Sequence, residues 1–245
     1  MQLVTSFFSA AVVMLTSVVA CILFEWAITK FILGRERTTI FDGSALLTGI
    51  LLGFNLPSNL PVWIIILGAL VAIGVGKLTF GGLGCNPFNP ALVGRVFLLI
   101  SFPTYMTDWA IPGGLFGADA VSGATPLGVI NEGLMKGASA ADLIAQNGFS
   151  ASQMLFANIG GSAGEASAIA ILIGFVYLLV RKVIKPWITL SILGTVALVS
   201  TVFWMADPTH FTGPLFNLLT GGLLLGSIFM ATDYATCPLT FKGKI

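Results

Sequence analysis

Charge is what this sequence has least of. Only 9% of its 245 residues are Asp, Glu, Lys or Arg, against about a quarter in an ordinary soluble domain. A formal net charge of +1, with no long run of either sign, leaves no electrostatic footprint for nucleic acid. Cysteine is scarce too. Cys21, Cys85 and Cys237 stand too far apart for any Cys-x-x-Cys metal or redox spacing, so neither a disulfide framework nor a cysteine-ligated cluster within this chain is indicated. Cys21, in an apolar run, reads as a small buried hydrophobe. The one histidine, His210, sits beside Pro208 in a polar loop and reads as a surface residue rather than a ligand. No metal site is expected.

What is present is long apolar sequence. Hydrophobic residues make up 56% of the chain, with 29 glycines and a mean hydropathy of +0.99. These values indicate an all-α polytopic membrane protein in a lipid bilayer. Leu3 to Ile28 is long enough to cross ~30 Å of hydrocarbon, and it lacks the basic leader of a signal peptide. Gly43 to Leu56 is short for a span, so it must be tilted, broken or packed inside protein. Val62 to Leu78 follows, then the loop Phe80-Gly-Gly-Leu-Gly-Cys-Asn-Pro-Phe-Asn-Pro90 and the stretch Ala91 to Phe102 carrying Arg95. Two Asn-Pro pairs at membrane depth leave backbone that must be buried or line a polar cavity. Further apolar stretches run from Glu165 to Val180, Trp187 to Met205 and Leu215 to Ala231. The reading is three parts: a first membrane repeat over 1–102, a polar insert over 103–161 and a second membrane repeat over 162–245.

Seven spans alternating sides place Lys30, Arg35, Arg37, Lys77, Arg181, Lys182, Lys185, Lys242 and Lys244 at one face, with only Lys136 in a loop at the other. By the positive-inside rule the insert 103–161 faces outward and the C-terminal end is cytoplasmic. The layout also contains a repeat. Leu46-Leu-Thr-Gly-Ile-Leu-Leu-Gly53 returns as Leu218-Leu-Thr-Gly-Gly-Leu-Leu-Leu-Gly226, and Leu78-Thr-Phe-Gly-Gly82 as Leu239-Thr-Phe-Lys-Gly243. The copies cross in opposite directions, as in inverted-topology repeats. The first copy continues into a further span where the second ends, so the chain reads as truncated.

Within the insert, Asp119-Ala-Val-Ser-Gly-Ala-Thr125-Pro-Leu-Gly128 forms a polar turn. Gly123 frees the backbone, Ala124 keeps the approach clear, and Pro126 biases Thr125 toward an extended conformation with its hydroxyl outward. That suits a modifying enzyme. Taken alone, the same string is also ordinary loop punctuation.

Phe80-Gly-Gly-Leu-Gly-x-Asn-Pro-Phe-Asn-Pro90, Leu99-Ile-Ser-Phe-Pro103, Asp119-x-x-Ser-Gly-Ala-Thr125, Gly161-Ser-Ala-Gly-Glu-x-Ser-Ala168 and Phe229-Met-Ala-Thr-Asp-Tyr234 together resemble the RnfD/NqrB family of membrane subunits of ion-pumping redox complexes. The short insert and the Ala-Thr-Asp-Tyr block favour its RnfD branch. The resemblance covers nearly the whole chain and implies ten helices as two inverted five-helix units, so about one helix at the start and two at the end have no counterpart here. It further implies FMN held at Thr125 by a phosphoester, installed by an exported flavin transferase that reads Asp119, Ser122, Gly123, Ala124 and Thr125 as one motif.

The implied role is a station in a bacterial or archaeal inner-membrane redox pump that passes electrons between ferredoxin and NAD, coupled to movement of Na+ or H+. The implied partners are Rnf subunits of the A, B, C, E and G types, on some of which the ferredoxin and NAD sites lie. A second, noncovalent flavin such as riboflavin is compatible with it.

Arg95, Asn86 and Asn89 are the side chains of the right type to tune an isoalloxazine, with snorkelling to water the competing role for Arg95. Glu25, Asp42, Glu165 and Asp233 lie in or beside spans, where ionisable groups are costly and therefore mark ion routes. Helix capping competes for Glu165 and Asp233. Three other functions remain open. An NqrB-like subunit would send electrons to quinone, an inverted-repeat transporter or channel would carry no flavin, and a scaffold subunit would tolerate loss of Thr125.

Overall fold

The computed structural model describes residues 2–34, 39–110, 122–123, 125–149, 154–155, 161–162, 164, 167–238, 240 and 242–244. Helix α1 (Gln2–Ala27) runs into a π turn, Ile28–Ile32, because its 26 residues contain neither glycine nor proline. Then come α2 (Ser44–Phe54), α3 (Val62–Leu70) prolonged as a π-helix over Val71–Leu78, α4 (Pro90–Ser101) and the short α5 (Pro103–Thr107). The insert contributes α6 (Pro126–Met135) and α7 (Ala140–Gln146). The rest holds α8 (Ala168–Val180), α9 (Pro186–Ala206), α10 (Pro214–Leu219) and α11 (Leu223–Leu225), which winds on as a π turn over Gly226–Met230. Pro90, Pro103, Pro126, Pro186 and Pro214 each open a helix, the position where a missing N–H leaves nothing unpaired.

Among the described residues two helical stretches, Ser9–Ile32 and Pro186–Ala206, are long and apolar enough to cross a bilayer alone. Helices α2, α4 and α8, and α3 with its π extension, are shorter apolar helices. Helix α2 buries one face, with Ala45, Thr48, Gly49, Leu51, Leu52 and Gly53 all buried, and leaves Leu46 and Leu47 exposed. It lies against α1, where Ser17 Oγ donates to the Gly49 carbonyl at 2.9 Å. A Cβ on Gly49 would fall 2.6 Å from Val18 Cα, so the two backbones meet there. Gly49→Ala is expected to cost about 1–3 kcal/mol through overpacking, read as a lower thermal midpoint of the detergent-solubilised protein. Gly194→Ala, where an added Cβ would meet nothing within 4 Å among the described residues, should leave that midpoint unchanged or raise it.

Apolar packing gathers in three clusters. The first joins α1 to α4 through Val13, Leu52, Ile64, Ile73 and Leu98, and reaches Met230. The second ties the insert to α10 through Ile130, Leu143, Met154 and Phe216. The third packs Ile171 of α8 on Leu224, Leu225 and Ile228, with Phe54 alongside. Helix α9 keeps Leu190, Leu198, Val202 and Phe203 exposed, an apolar face suited to lipid or a neighbouring subunit.

The expected span from Leu215 to Ala231 is not one helix. It stops at Leu219, Thr220 is extended (ψ 150°), and helix resumes at Leu223. Gly221 sits at φ +68°, a conformation that glycine adopts without strain. The extra residue in this copy of the repeat supplies the break. Its counterpart Leu46 to Gly53 lies within the unbroken α2.

Connections cluster at two ends of the molecule. At one, Asn59 Nδ2 donates to Asp108 Oδ2 at 2.9 Å, and the Ala140 N–H donates to the Thr209 carbonyl at 2.8 Å. At the other, Asn89 Nδ2 reaches the Met230 carbonyl at 3.5 Å, and Asn86 shares a cleft with Lys77 and Asp233.

Candidate functional site

Thr125 stands at a junction of strand pairing and helix. Trp109 and Ala110 pair antiparallel with Gly123 and Ser122, anchoring the backbone just before it. Pro126 follows, and Thr125 is extended as that proline requires, at φ −60° and ψ 158°. Its side chain does not simply point outward. It is half-buried and caps α6, Oγ1 accepting from the Gly128 N–H at 3.1 Å. Helix α6 is fixed in turn on both sides. Leu143 of α7 packs so closely that a Cβ on Gly133 would meet it at 2.4 Å, and Leu127 lies 3.2 Å from where a Cβ on Gly221 would be. The threonine-bearing helix therefore seats on the break between α10 and α11. The Thr-Pro pair ahead of an apolar run signals a helix start; its seat on Gly221 has no local signal.

A hydroxyl in this position fits a phosphoester. Thr125 Oγ1, held by the Gly128 N–H, lies at the positive end of the α6 backbone dipole, which favours an anion. Asp119 and Ala124 lie outside the described residues, and Ser122 and Gly123 are described through their backbone pairing alone. On the outer face of α6, Lys136 Nζ donates to Glu132 Oε1 at 2.6 Å, which holds the Glu132 carboxyl below its ordinary range. Its contribution is fully present above the ordinary carboxylate range and is lost as pH falls to the lowered value in the folded protein.

The second polar centre is at the opposite end. Glu25 and Lys77, 0% and 2% exposed, form a buried ion pair at 2.7 Å. Lys77 Nζ also donates to Glu25 Oε1 at 2.8 Å and to Ser44 Oγ at 2.6 Å. Thr39 Oγ1 donates to Glu25 Oε1, and Ser44 Oγ donates to Asp42 Oδ1. The lysine arrives on the π-helical turn Val71–Leu78, a local widening often found at functional sites. Beside this pair a cleft of ≈ 30 Å³ is lined by Ser44, Thr48, Lys77, Asn86, Asn89 and Asp233, enough for about one or two water-sized species.

Asn89 is the N-cap of α4, its Oδ1 accepting from the Ala91 N–H at 3.0 Å. Asn86 donates to the Phe88 carbonyl at 2.9 Å, but its Oδ1 is buried without a hydrogen-bond partner among the described residues. The structure thus gathers Glu25, Asp42, Asp233, Asn86 and Asn89 around one region, with Asn89 bound at Met230 and Leu127 of α6 touching Gly221 at the other end of that segment. Glu165 lies outside the described residues.

Arg95 is half-buried on α4: Nη1 donates to Asn55 Oδ1 at 2.6 Å, and Asn55 is 1% exposed. Lys77, which sequence reasoning counted only as a loop-side positive charge, proves to be central. Its place at the end of an apolar run gave no sign that Glu25, 52 positions earlier, would pair with it. Cys21 is fully buried, and His210 is a surface residue beside Asp207, 2.9 Å from its carboxylate.

The family model described as NQR2, RnfD, RnfE matches residues 1–245. Among curated relatives, the D-type subunit of the ion-translocating oxidoreductase complex of Stutzerimonas stutzeri is 41% identical over 248 residues, covering 94% of this chain and 69% of the relative. The D-type subunit of the proton-translocating ferredoxin:NAD(+) oxidoreductase complex of Clostridium ljungdahlii is 36% identical, covering 95% of this chain and 69% of the relative. Its counterpart in the ion-translocating oxidoreductase complex of Rhodobacter capsulatus is 36% identical, covering 94% of this chain and 69% of the relative.

Proposed function

This chain belongs to the NQR2, RnfD, RnfE family, and we propose that it is the D-type membrane subunit of an Rnf complex, a multisubunit ion-translocating oxidoreductase. It acts with the other Rnf subunits to pass electrons between ferredoxin and NAD, coupled to movement of Na+ or H+, and it is not catalytic alone. The observation that carries this reading is the match over the full chain, joined by D-type relatives at 36–41% identity.

Thr125 carries FMN through a phosphoester. Its place at the N-cap of α6 and its extended backbone support this. FMN bound there supplies one- and two-electron redox chemistry. The chain's own part is to position it: the strand pair at Trp109 and Gly123 holds the approach, the Gly128 N–H fixes the Thr125 Oγ1 that would carry the phosphoester, and the insert packs on α10.

The chain crosses the membrane seven times as parts of two inverted units, with the insert outside and the C-terminal end in the cytoplasm. The asymmetry of Lys and Arg supports this, as does the meeting of Asn59 with Asp108 and of Ala140, at the start of α7 in the insert, with Thr209. The ion route uses the carboxylates at the other end, Glu25, Asp42 and Asp233, with Glu165 a fourth.

The test is deletion and complementation of this gene in its host. Inverted membrane vesicles from the deletion strain should lose both ferredoxin-dependent NAD+ reduction and the ion uptake that accompanies it, and the intact gene should restore both. Retention of both activities in the deletion strain would contradict the assignment.

A further inference from the structure

The cations of this chain are not spread evenly. Residues 166–206 and 234–245 hold five of the eleven, Arg181, Lys182, Lys185, Lys242 and Lys244, and no carboxylate. The fold brings the five to one corner. Arg181 to Lys185 connect α8 to α9, and the short turn Lys242–Lys244 packs against α9. Arg181, Lys182, Lys185 and Lys242 are exposed, and none of the five is in an ion pair among the described residues. Nor are these side chains needed to finish α8. Its last carbonyls are taken by backbone N–H groups, Arg181 donating to Tyr177 at 3.0 Å, Lys182 to Leu179 at 2.9 Å and Val183 to Leu178 at 3.0 Å. Lys182 is also the one residue other than glycine at positive φ, +56°, among the described residues, in the place after a helix where glycine is unstrained. A cation stands there on a strained backbone.

A groove opens at the same corner. Its volume is ≈ 400 Å³, inside the range of about 300–1,000 Å³ for sites that take small organic molecules. Leu92 of α4, Ile188 and Ile192 of α9 and Met230 give it apolar walls, and Ser191, Thr236 and Lys244 add polar groups. The α9 wall is set firmly, because Thr189 Oγ1 donates to the Ser227 carbonyl at 3.0 Å. Farther along α9, Leu190, Leu198 and Val202 are exposed, as is Trp187 in its first turn, a residue type enriched at membrane–water interfaces.

Apolar walls beside cations that no carboxylate neutralises match an amphiphile with an anionic head. A soluble anion gains nothing from Leu92, Ile188 and Ile192, and a zwitterionic lipid brings its own ammonium among the lysines. We propose that this corner binds a diacyl phospholipid of net negative charge, its headgroup phosphate held by the Arg181–Lys185 connection and Lys244, and one acyl chain in the groove. Basic residues at a membrane surface attract anionic lipid, and the buried chain adds a hydrophobic contribution. Lying between Leu92 and Ile192, the lipid braces α4 against α9.

The test uses the membrane assembly purified through an N-terminal tag on this chain. It is equilibrated in micelles containing equal dioleoylphosphatidylglycerol and dioleoylphosphatidylcholine, re-isolated, and its retained phospholipid counted by mass spectrometry. Phosphatidylglycerol should be retained over phosphatidylcholine by at least about tenfold. Arg181→Gln with Lys182→Gln and Lys185→Gln should lose about one equivalent of it per chain. Ile192→Trp, which fills the groove and leaves every cation in place, should lose the same equivalent, and Lys136→Gln, on the insert, should lose none. Elution as a single species reports assembly of each variant. Equal retention of the two lipids would overturn the proposal, as would an unchanged count in the triple variant. An unchanged count in Ile192→Trp would mean attraction by surface charge without the groove, and would overturn it too. Should the triple variant fail to assemble, Lys242→Gln with Lys244→Gln takes its place with the same expected loss. If a protein segment fills the groove in the assembly, no variant changes the count and the proposal falls.

Discussion

Thr125→Asn is expected to remove covalent flavin completely and to take ferredoxin-dependent NAD+ reduction to background while leaving the insert folded. The substitution separates the two roles of this side chain. Asparagine ranks among the best N-cap residues, so its Oδ1 replaces the bond that Oγ1 accepts from Gly128 N–H at 3.1 Å. It has no hydroxyl to esterify. Thr125→Ala loses both roles, and the lost cap should cost about 0.5–2 kcal/mol of insert stability. Thr125→Ser keeps both and should retain flavin. In-gel fluorescence after denaturation, with electron-transfer rates, reads the series. If the asparagine variant kept wild-type electron transfer, Thr125 would be a helix cap and nothing more.

The second large effect concerns the buried pair. Lys77→Met alone leaves the Glu25 carboxylate, 0% exposed, without its ammonium, and Glu25→Gln alone strands Lys77. Breaking a buried pair by removing one partner costs about 3–5 kcal/mol, whereas replacing both partners together is often neutral. Each single variant should therefore assemble poorly, with a thermal midpoint well below that of the unaltered complex, and the double variant should recover most of the loss. The contrast arises because α1 and the π-helical end of α3 are joined at this point by the pair and by Ser44 and Thr39. If the double variant proved as unstable as the singles, the interaction would not be the source of their defect.

Much of this molecule is readable from its sequence because the membrane imposes period and length. Apolar runs bounded by prolines became helices, and the short run at Gly43 became a helix that packs one face on its neighbours and leaves Leu46 and Leu47 exposed. Pro126 set the extended backbone at Thr125. What was not legible depends on pairing across long separations or on a single inserted residue. The break at Thr220 comes from one extra glycine in a sequence otherwise like that of α2, and local propensity does not distinguish a tolerated glycine from a break. The Glu25–Lys77 pair needed the packing of α1 on α3 to be known first. Arg95 illustrates the same limit: its type suggested either flavin or solvent, and only packing directs Nη1 to Asn55. The seat of Leu127 on Gly221 joins insert to membrane helices, a relation with no signature in either segment alone.

The central claim is that this membrane protein carries its redox group at Thr125. The direct test is peptide mapping by mass spectrometry of the chain isolated from its own host, grown so that the complex is expressed. The account predicts a peptide spanning Asp119 to Met135 that bears the added mass of esterified FMN, with fragmentation placing it on Thr125. A peptide of unmodified mass, recovered from a host that flavinylates its other membrane proteins, would contradict it.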